Sequence, residues 1–246
     1  MEVETPILQP IAGGATAEPF RTTLRALKMP LYLRVAPELY LKRLLVGGFE
    51  KVYELGRAFR NEGMDQTHNP EFTILEFYWA YQDLSGLTGF TEKLVRSAVR
   101  AATGSSSVSF RGTILGFGKP FTRKSFSELF FEHIGIAVSA DDSAIAREAR
   151  RFAIPVGEGA SRAALLDRLF KKAAVPKLQQ PTFVLGHPLE LSPLAKAVPD
   201  VPAVASRFQL IAGGMEIVNA YAELNDPIEQ RKRFRAEGRK RRGGDR

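Results

Sequence analysis

Two stretches of this chain carry polar residues at a spacing that strand geometry would gather. In the first, Lys51 to Arg60 and Glu71 to Tyr81 read as two strands around a polar loop. Side chains alternate faces along a strand. Phe72, Ile74, Glu76 and Tyr78 therefore share one face of the return strand, and Arg60 and Glu62 share one face of the first if it runs that far. Such a face is too polar for packing alone, because burying unpaired charge is costly. It is expected to bind something charged, with Phe72 placed to stack on a flat ring. In the second stretch, Asn219, Tyr221 and Glu223 alternate along one strand face. Several carboxylates beside hydroxyl, amide and guanidinium groups suit a cationic ligand, a metal, or both. Ion pairing on a solvent-facing sheet is the plainer alternative.

No other constellation competes. His68, His133 and His187 lack metal-ligand spacing such as His-Glu-x-x-His. Gly-x-Ser-x-Gly and Walker-type loops are missing, and Gly213-Gly214 reads as a turn rather than a phosphate cradle. The chain has no cysteine, which excludes disulfide scaffolds, thiolate nucleophiles and Cys-ligated zinc.

The elements that must position these residues are legible in outline. Pro37 to Val46 suits a helix with Pro37 at its first position. Leu87 to Ala102 keeps helical spacing, stopped by Gly104. Ser125 and Glu128 form a capping box ahead of Leu129 and Phe130. Asp141 to Phe152 and Ser161 to Ala174 are amphipathic helices, so residues about 125–175 read as a helical insertion without chemistry. Thr182 to Leu185 is a strand. Arg207 to Ala212 and Glu216 to Glu223 flank the Gly213-Gly214 turn, and Asn225-Asp226-Pro227 starts a helix. Glu2 to Leu8 is strand-like, and Arg239 to Arg246 resembles an interrupted loop. The expected class is α+β, a mainly antiparallel sheet flanked by helices.

The 246 residues suit one large domain, and 44% hydrophobic with 25% charged residues is ordinary for a globular protein. The net charge of +8 sits mostly in a basic tail at 229–246, with nine Lys/Arg against two acids from Arg231 onward. It is therefore weak support for nucleic-acid binding. No apolar run approaches the roughly 18 residues of a membrane span. The acidic N-terminus lacks a signal pattern, so the cytoplasm is the expected location.

Phe59-Arg60-Asn61-Glu62 through His68-Asn69-Pro70-Glu71-Phe72 resembles motif 2 of the class II aminoacyl-tRNA synthetases. The run from Phe49 to Tyr81 is similar to their lysine-specific branch. So are Glu2-Val3-Glu4-Thr5-Pro6 with Gly13-Gly14-Ala15, and Ala36-Pro37-Glu38-Leu39-Tyr40-Leu41-Lys42-Arg43-Leu44. Ser192-Pro193-Leu194-Ala195-Lys196 and Asn219-Ala220-Tyr221-Ala222-Glu223-Leu224-Asn225-Asp226-Pro227 follow in the right order.

The resemblance implies a homodimer built on an antiparallel sheet. The implied activity joins lysine to tRNA(Lys) through lysyl-adenylate, with ATP as substrate and Mg2+ as cofactor. Arg60 would bridge the lysine carboxylate and the α-phosphate, a task suited to its forked guanidinium. Glu62 and His68 would hold ATP, and Phe72 would stack on adenine. Gly14 and Glu38 would hold the α-ammonium of lysine. Glu76, Tyr78 and Glu223 would surround its amines, with Asn219 and Tyr221 completing the pocket. Glu216 would bind magnesium, but its partner position holds Gln209 where the family usually has Glu, and a neutral amide is a poorer ligand for a hard cation.

An anticodon-binding barrel and motif 3 are not recognisable in the sequence. Residues 1–246 therefore read as a partial catalytic domain, expected to be inactive alone. Two other readings stay open: a related lysine ligase that modifies elongation factor P, and a non-catalytic binding module of synthetase descent.

Overall fold

The computed structural model describes residues 1–242 apart from 16, 66, 158 and 159, with side chains through 236. The chain divides into two compact units, Met1–Gln82 and Asp83–Arg246.

In the first unit, β1 (Leu8–Gln9), β2 (Arg21–Leu24) and β3 (Met29–Leu33) form an antiparallel sheet in the order β1-β3-β2. Helix α1 (Glu38–Val46) follows, with Pro37 as its N-terminal cap. Strands β4 (Lys51–Phe59) and β5 (Glu71–Trp79) then pair along their whole length, from Lys51 opposite Trp79 to Phe59 opposite Glu71. The expected hairpin is present, but it ends one residue short of Arg60. Arg60 N–H still donates to the Pro70 carbonyl at 2.8 Å, yet Pro70 has no N–H to return, so the ladder stops there. Arg60 and Glu62 consequently do not share a strand face.

The expected strand from Glu2 to Leu8 is also interrupted. It survives as a bridge between Glu2 and Tyr53 and as β1. Pro6 cannot donate, and Thr5 N–H is drawn to the Glu54 carboxylate at 3.2 Å.

In the second unit, α2 (Leu84–Thr103) is capped by Asp83 and ended by left-handed Gly104. The hairpin of β6 (Ser107–Phe110) and β7 (Thr113–Gly116) follows, then β8 (Thr122–Ser125). Helices α3 (Phe126–Ile134), α4 (Asp142–Arg151) and α5 (Arg162–Ala173) begin at Ser125, Asp141 and Ser161. Each of these side chains accepts from a backbone N–H of the first turn. The Ser125–Glu128 capping box is complete.

Strands β9 (Thr182–Leu185), β10 (Ala197–Val198), β11 (Val201–Ala205), β12 (Arg207–Ala212) and β13 (Met215–Tyr221) precede α6 (Pro227–Arg242). Four strands form one sheet in the order β13-β12-β9-β8, antiparallel except for β8 with β9. One core cluster joins α3, α4 and α5 to Val184 and Ile211. Another packs Phe121, Phe183, Phe208 and Leu210 with α2 residues Leu87, Val95 and Val99. The sheet is thus covered on both faces, as alternation along β12 requires. The run expected as loop from Arg239 is helical through Arg242, and residues 243–246 lie outside the described residues.

Candidate functional site

The β4–β5 hairpin of the first unit carries one set of candidates. Register places Val52, Glu54, Gly56 and Ala58 opposite Tyr78, Glu76, Ile74 and Phe72. This is the inner face: Val52, Glu54 and Ala58 are buried, while Tyr53, Leu55 and Arg57 on the other face are exposed. The Tyr78 hydroxyl donates to Glu76 at 2.8 Å. Helix α1 contacts β5. Its Glu38, 8% exposed, accepts from the Lys42 ammonium at 2.7 Å, and that ammonium lies 5.9 Å from the centre of the Tyr78 ring. Gly14 sits over the start of α1 at φ 97°. A Cβ there would approach the Glu38 Cβ to 3.3 Å. Gly14, Glu38, Glu76 and Tyr78, expected together, are thus linked within one unit.

Arg60 lies beyond the strand end but stays close to Phe72. Its guanidinium is 5.0 Å from the ring centre, and its Nε donates to the Val35 carbonyl at 3.4 Å. Glu62 and His68 are exposed in the loop between the strands. His68 Nδ1 is 2.9 Å from both Asp65 carboxylate oxygens. Hydrogen bonds from the Thr67 backbone, then from the Thr67 and His68 side chains, hold the Asp65 carboxyl well below the usual carboxylate range. The loop therefore fixes His68 through one ring nitrogen.

The sequence reading missed a buried pair that includes Glu54 of this same face. Arg34 and Glu54 are each 3% exposed and form an ion pair. Arg34 also donates to the Arg57 carbonyl at 2.7 Å and to the Thr5 hydroxyl at 3.0 Å, and that hydroxyl donates to Glu54 at 2.6 Å. Every charge there is matched, as burial demands. Glu54 was findable as the lone acid in the apolar phase of β4, and Lys42 as the i+4 partner of Glu38. Arg34 carried no local signal.

In the second unit, the two-residue Gly213-Gly214 turn has φ of 60° and 71°, conformations that glycine adopts without strain. Its amides donate to the Gln179 and Leu178 carbonyls at 2.8 and 3.1 Å, so this turn is not a phosphate cradle. Beyond it, β12 pairs Arg207 with Tyr221 and Gln209 with Asn219, then shifts register and pairs Ile211 with Glu216. Ile217 is the extra residue of a bulge. The bulge brings Glu216 onto the face of Asn219 and Tyr221, which simple alternation would forbid.

Arg207, also missed, donates to Asn219 Oδ1 at 2.8 Å and to the Leu191 carbonyl at 3.0 Å. Past the strand, Glu223 bridges to Ala195. Lys196 N–H donates to the Ala222 carbonyl at 2.7 Å, and Leu224 N–H to the Leu194 carbonyl at 2.8 Å. Arg233 of α6 donates to the Ala195 carbonyl at 2.7 Å. The Ser192–Lys196 segment therefore sets the position of Glu223.

Glu216 and Gln209 meet, but as acceptor and donor: the amide Nε2 donates to a Glu216 carboxylate oxygen. Partial desolvation raises the Glu216 pKa, while Arg207 and Lys171 pull it down. Among the described residues, no group of three or more His, Asp or Glu side chains is placed to hold a metal ion. The pair does not fit the two-carboxylate site that the family would place here.

The order of motifs, the antiparallel sheet between helices and the Arg60–Phe72 hairpin end define a synthetase of class II. The chain matches the family described as tRNA synthetases class II (D, K and N) over residues 1–244, and it belongs to that family. It is similar to the lysine–tRNA ligase of Syntrophomonas wolfei, 48% identical over 247 residues covering all of this chain and 50% of that protein. It is also similar to the lysine–tRNA ligases of Pelotomaculum thermopropionicum (45%, all of this chain and 49% of that protein) and Roseiflexus castenholzii (48%, all of this chain and 50% of that protein). The chain spans about half the length of these relatives. No helix among the described residues is long and apolar enough to cross a membrane.

Proposed function

We propose that the full-length protein activates lysine with ATP to lysyl-adenylate and transfers the lysyl group to tRNA(Lys). The observation that carries this reading is the chemistry of the β5 face and α1. Glu38 and Glu76 supply carboxylates and Tyr78 a hydroxyl, beside a buried and already neutralised Arg34–Glu54 pair. The family also serves aspartate and asparagine. An acidic face repels an aspartate side chain and attracts an ammonium. The relatives' names point the same way.

In the proposed reaction, a lysine carboxylate oxygen attacks the α-phosphorus of ATP and pyrophosphate departs. Arg60 bridges the carboxylate and the α-phosphate, countering charge that grows in the transition state. Glu62 and His68 hold the nucleotide, with Phe72 beneath the adenine ring. Gly14 and Glu38 receive the α-ammonium. Glu76 and Tyr78 receive the side-chain ammonium, and the resemblance assigns Glu223, Asn219 and Tyr221 to lysine binding as well. No covalent enzyme intermediate is required, because positioning and electrostatics supply the rate. Magnesium enters as part of the substrate, bound to ATP. The same reading makes the complete protein a cytoplasmic homodimer.

The test is ATP–pyrophosphate exchange by the full-length protein with lysine, arginine, ornithine, aspartate and asparagine, followed by tRNA charging. Exchange with lysine alone and charging of tRNA(Lys) is expected. Exchange driven by aspartate or asparagine would overturn the lysine assignment. Lysine exchange without tRNA charging would overturn the second half.

A further inference from the structure

Gln209 lies between a buried imidazole and a carboxylate, and its two neighbours dictate which way its amide points. The residue is 7% exposed and His187 2%. His187 Nε2 is 2.8 Å from Gln209 Oε1, and Gln209 Nε2 reaches Glu216. We propose that the Gln209 amide takes the place of a divalent cation as the counter-group of Glu216, and that His187 fixes the amide in that orientation.

Charge is the first argument. An acid at position 209 would place a second anion against Glu216, an arrangement that calls for a cation between them. With an amide there, the pair carries one negative charge instead of two. Arg207, on the same strand face, supplies the compensating charge. The donor set is thus complete without a metal.

Orientation is the second argument. An amide has one acceptor end and one donor end. With the donor end on Glu216, the acceptor end faces His187, which must then carry its proton on Nε2. The imidazole packs at a tilt against Phe126, with ring centres 5.2 Å apart and planes at 49°. Its Nδ1 is buried with no hydrogen-bond partner in the structure. Reversing the amide would set Oε1 against the Glu216 carboxylate, tolerable only with a cation between the two oxygens. It would also force the His187 proton onto Nδ1, where a buried N–H would go unmatched. The His187 tautomer therefore reports which of the two states exists.

The test uses the full-length protein without ATP and Mn2+ as the probe, followed by electron paramagnetic resonance. Wild type and Glu216→Gln should bind Mn2+ alike. Gln209→Glu should bind it on the order of 10–100-fold tighter, the scale on which ligand surroundings alter metal affinity. Glu216→Gln in that background should remove the gain. Wild-type Mn2+ binding that weakens in Glu216→Gln would overturn the proposal, as would a Gln209→Glu variant with no gain. Long-range proton–nitrogen correlation spectra, with His187 assigned through His187→Gln, supply an independent reading. The Nε2–H tautomer, unchanged by Mg2+, is expected. An Nδ1–H tautomer, or a switch to it with Mg2+, would overturn the assignment. Neither measurement depends on amino-acid activation, so failed lysine exchange would leave this result standing.

Discussion

Gly56 makes room for Arg34: a Cβ at position 56 would lie 2.5 Å from the Arg34 Nη2. The guanidinium cannot move aside easily, because it is tied to Glu54, Thr5 and the Arg57 carbonyl. Gly56→Ala should therefore destabilise the full-length protein by about 1–3 kcal/mol through overpacking. Glu54→Gln should cost more, about 3–5 kcal/mol, by leaving a buried guanidinium uncompensated. Urea unfolding measures both. A Glu54→Gln variant as stable as wild type would mean that the pair contributes nothing net.

Stability should also fall in mild acid because of His187. Burial first, and then Arg207, lower its pKa from 6.5 to about 4. Above pH 6.5 the imidazole is neutral in folded and unfolded chains alike. Between pH 6.5 and about 4 the unfolded chain takes up a proton that the folded one refuses, so stability drops as pH falls. The full loss is roughly 3 kcal/mol. Unfolding free energy measured across this window should flatten in His187→Gln. Parallel slopes in the two proteins would refute the assignment.

Arg60→Lys should impair activation more than binding. A lysine ammonium cannot present the fork that bridges carboxylate and phosphate. Loss of about 10²–10³ in the exchange rate is expected, the scale for one oriented transition-state donor. A variant whose KM for ATP rises while kcat stays constant would place Arg60 in ground-state binding instead.

Glu223→Gln should weaken lysine binding by roughly 2–5 kcal/mol, the scale for truncating one partner of a buried charge pair. Titration calorimetry with lysine on the full-length protein gives the number. Unchanged affinity would remove Glu223 from the residues proposed to bind lysine.

What the sequence exposed was local. Gly104, Ser125 with Glu128, Asp141, Ser161 and Gly213-Gly214 each act within a few residues, so helix ends and the tight turn were readable from type and spacing. The phase of β5 was readable too, because alternation alone places Phe72, Glu76 and Tyr78 together. The misses depend on distant partners. Strand β4 stops at Phe59 because Pro70 sits across from it, ten residues after Arg60. Arg34 finds Glu54, and His187 finds Gln209, only once sheets have assembled. The parallel β8–β9 pair spans an entire helical layer. Of the candidate site, the members on each hairpin were legible, whereas Arg34, Arg207 and the bulge at Ile217 were not.

Strand β13 is in effect written in two reading phases, with Ile217 as the spacer between them. Deleting one residue at that point would restore uniform alternation. Glu216 and Asn219 would then stand two positions apart, so both would keep the Gln209 face and Glu216 would still pair with Ile211. The hairpin can therefore lose its bulge residue without turning either set, whereas a one-residue deletion between Asn219 and Tyr221 would reverse every side chain beyond it. Trimming the exposed Ile217 is thus a mild change, while trimming Ala220 would act at a distance like several simultaneous substitutions.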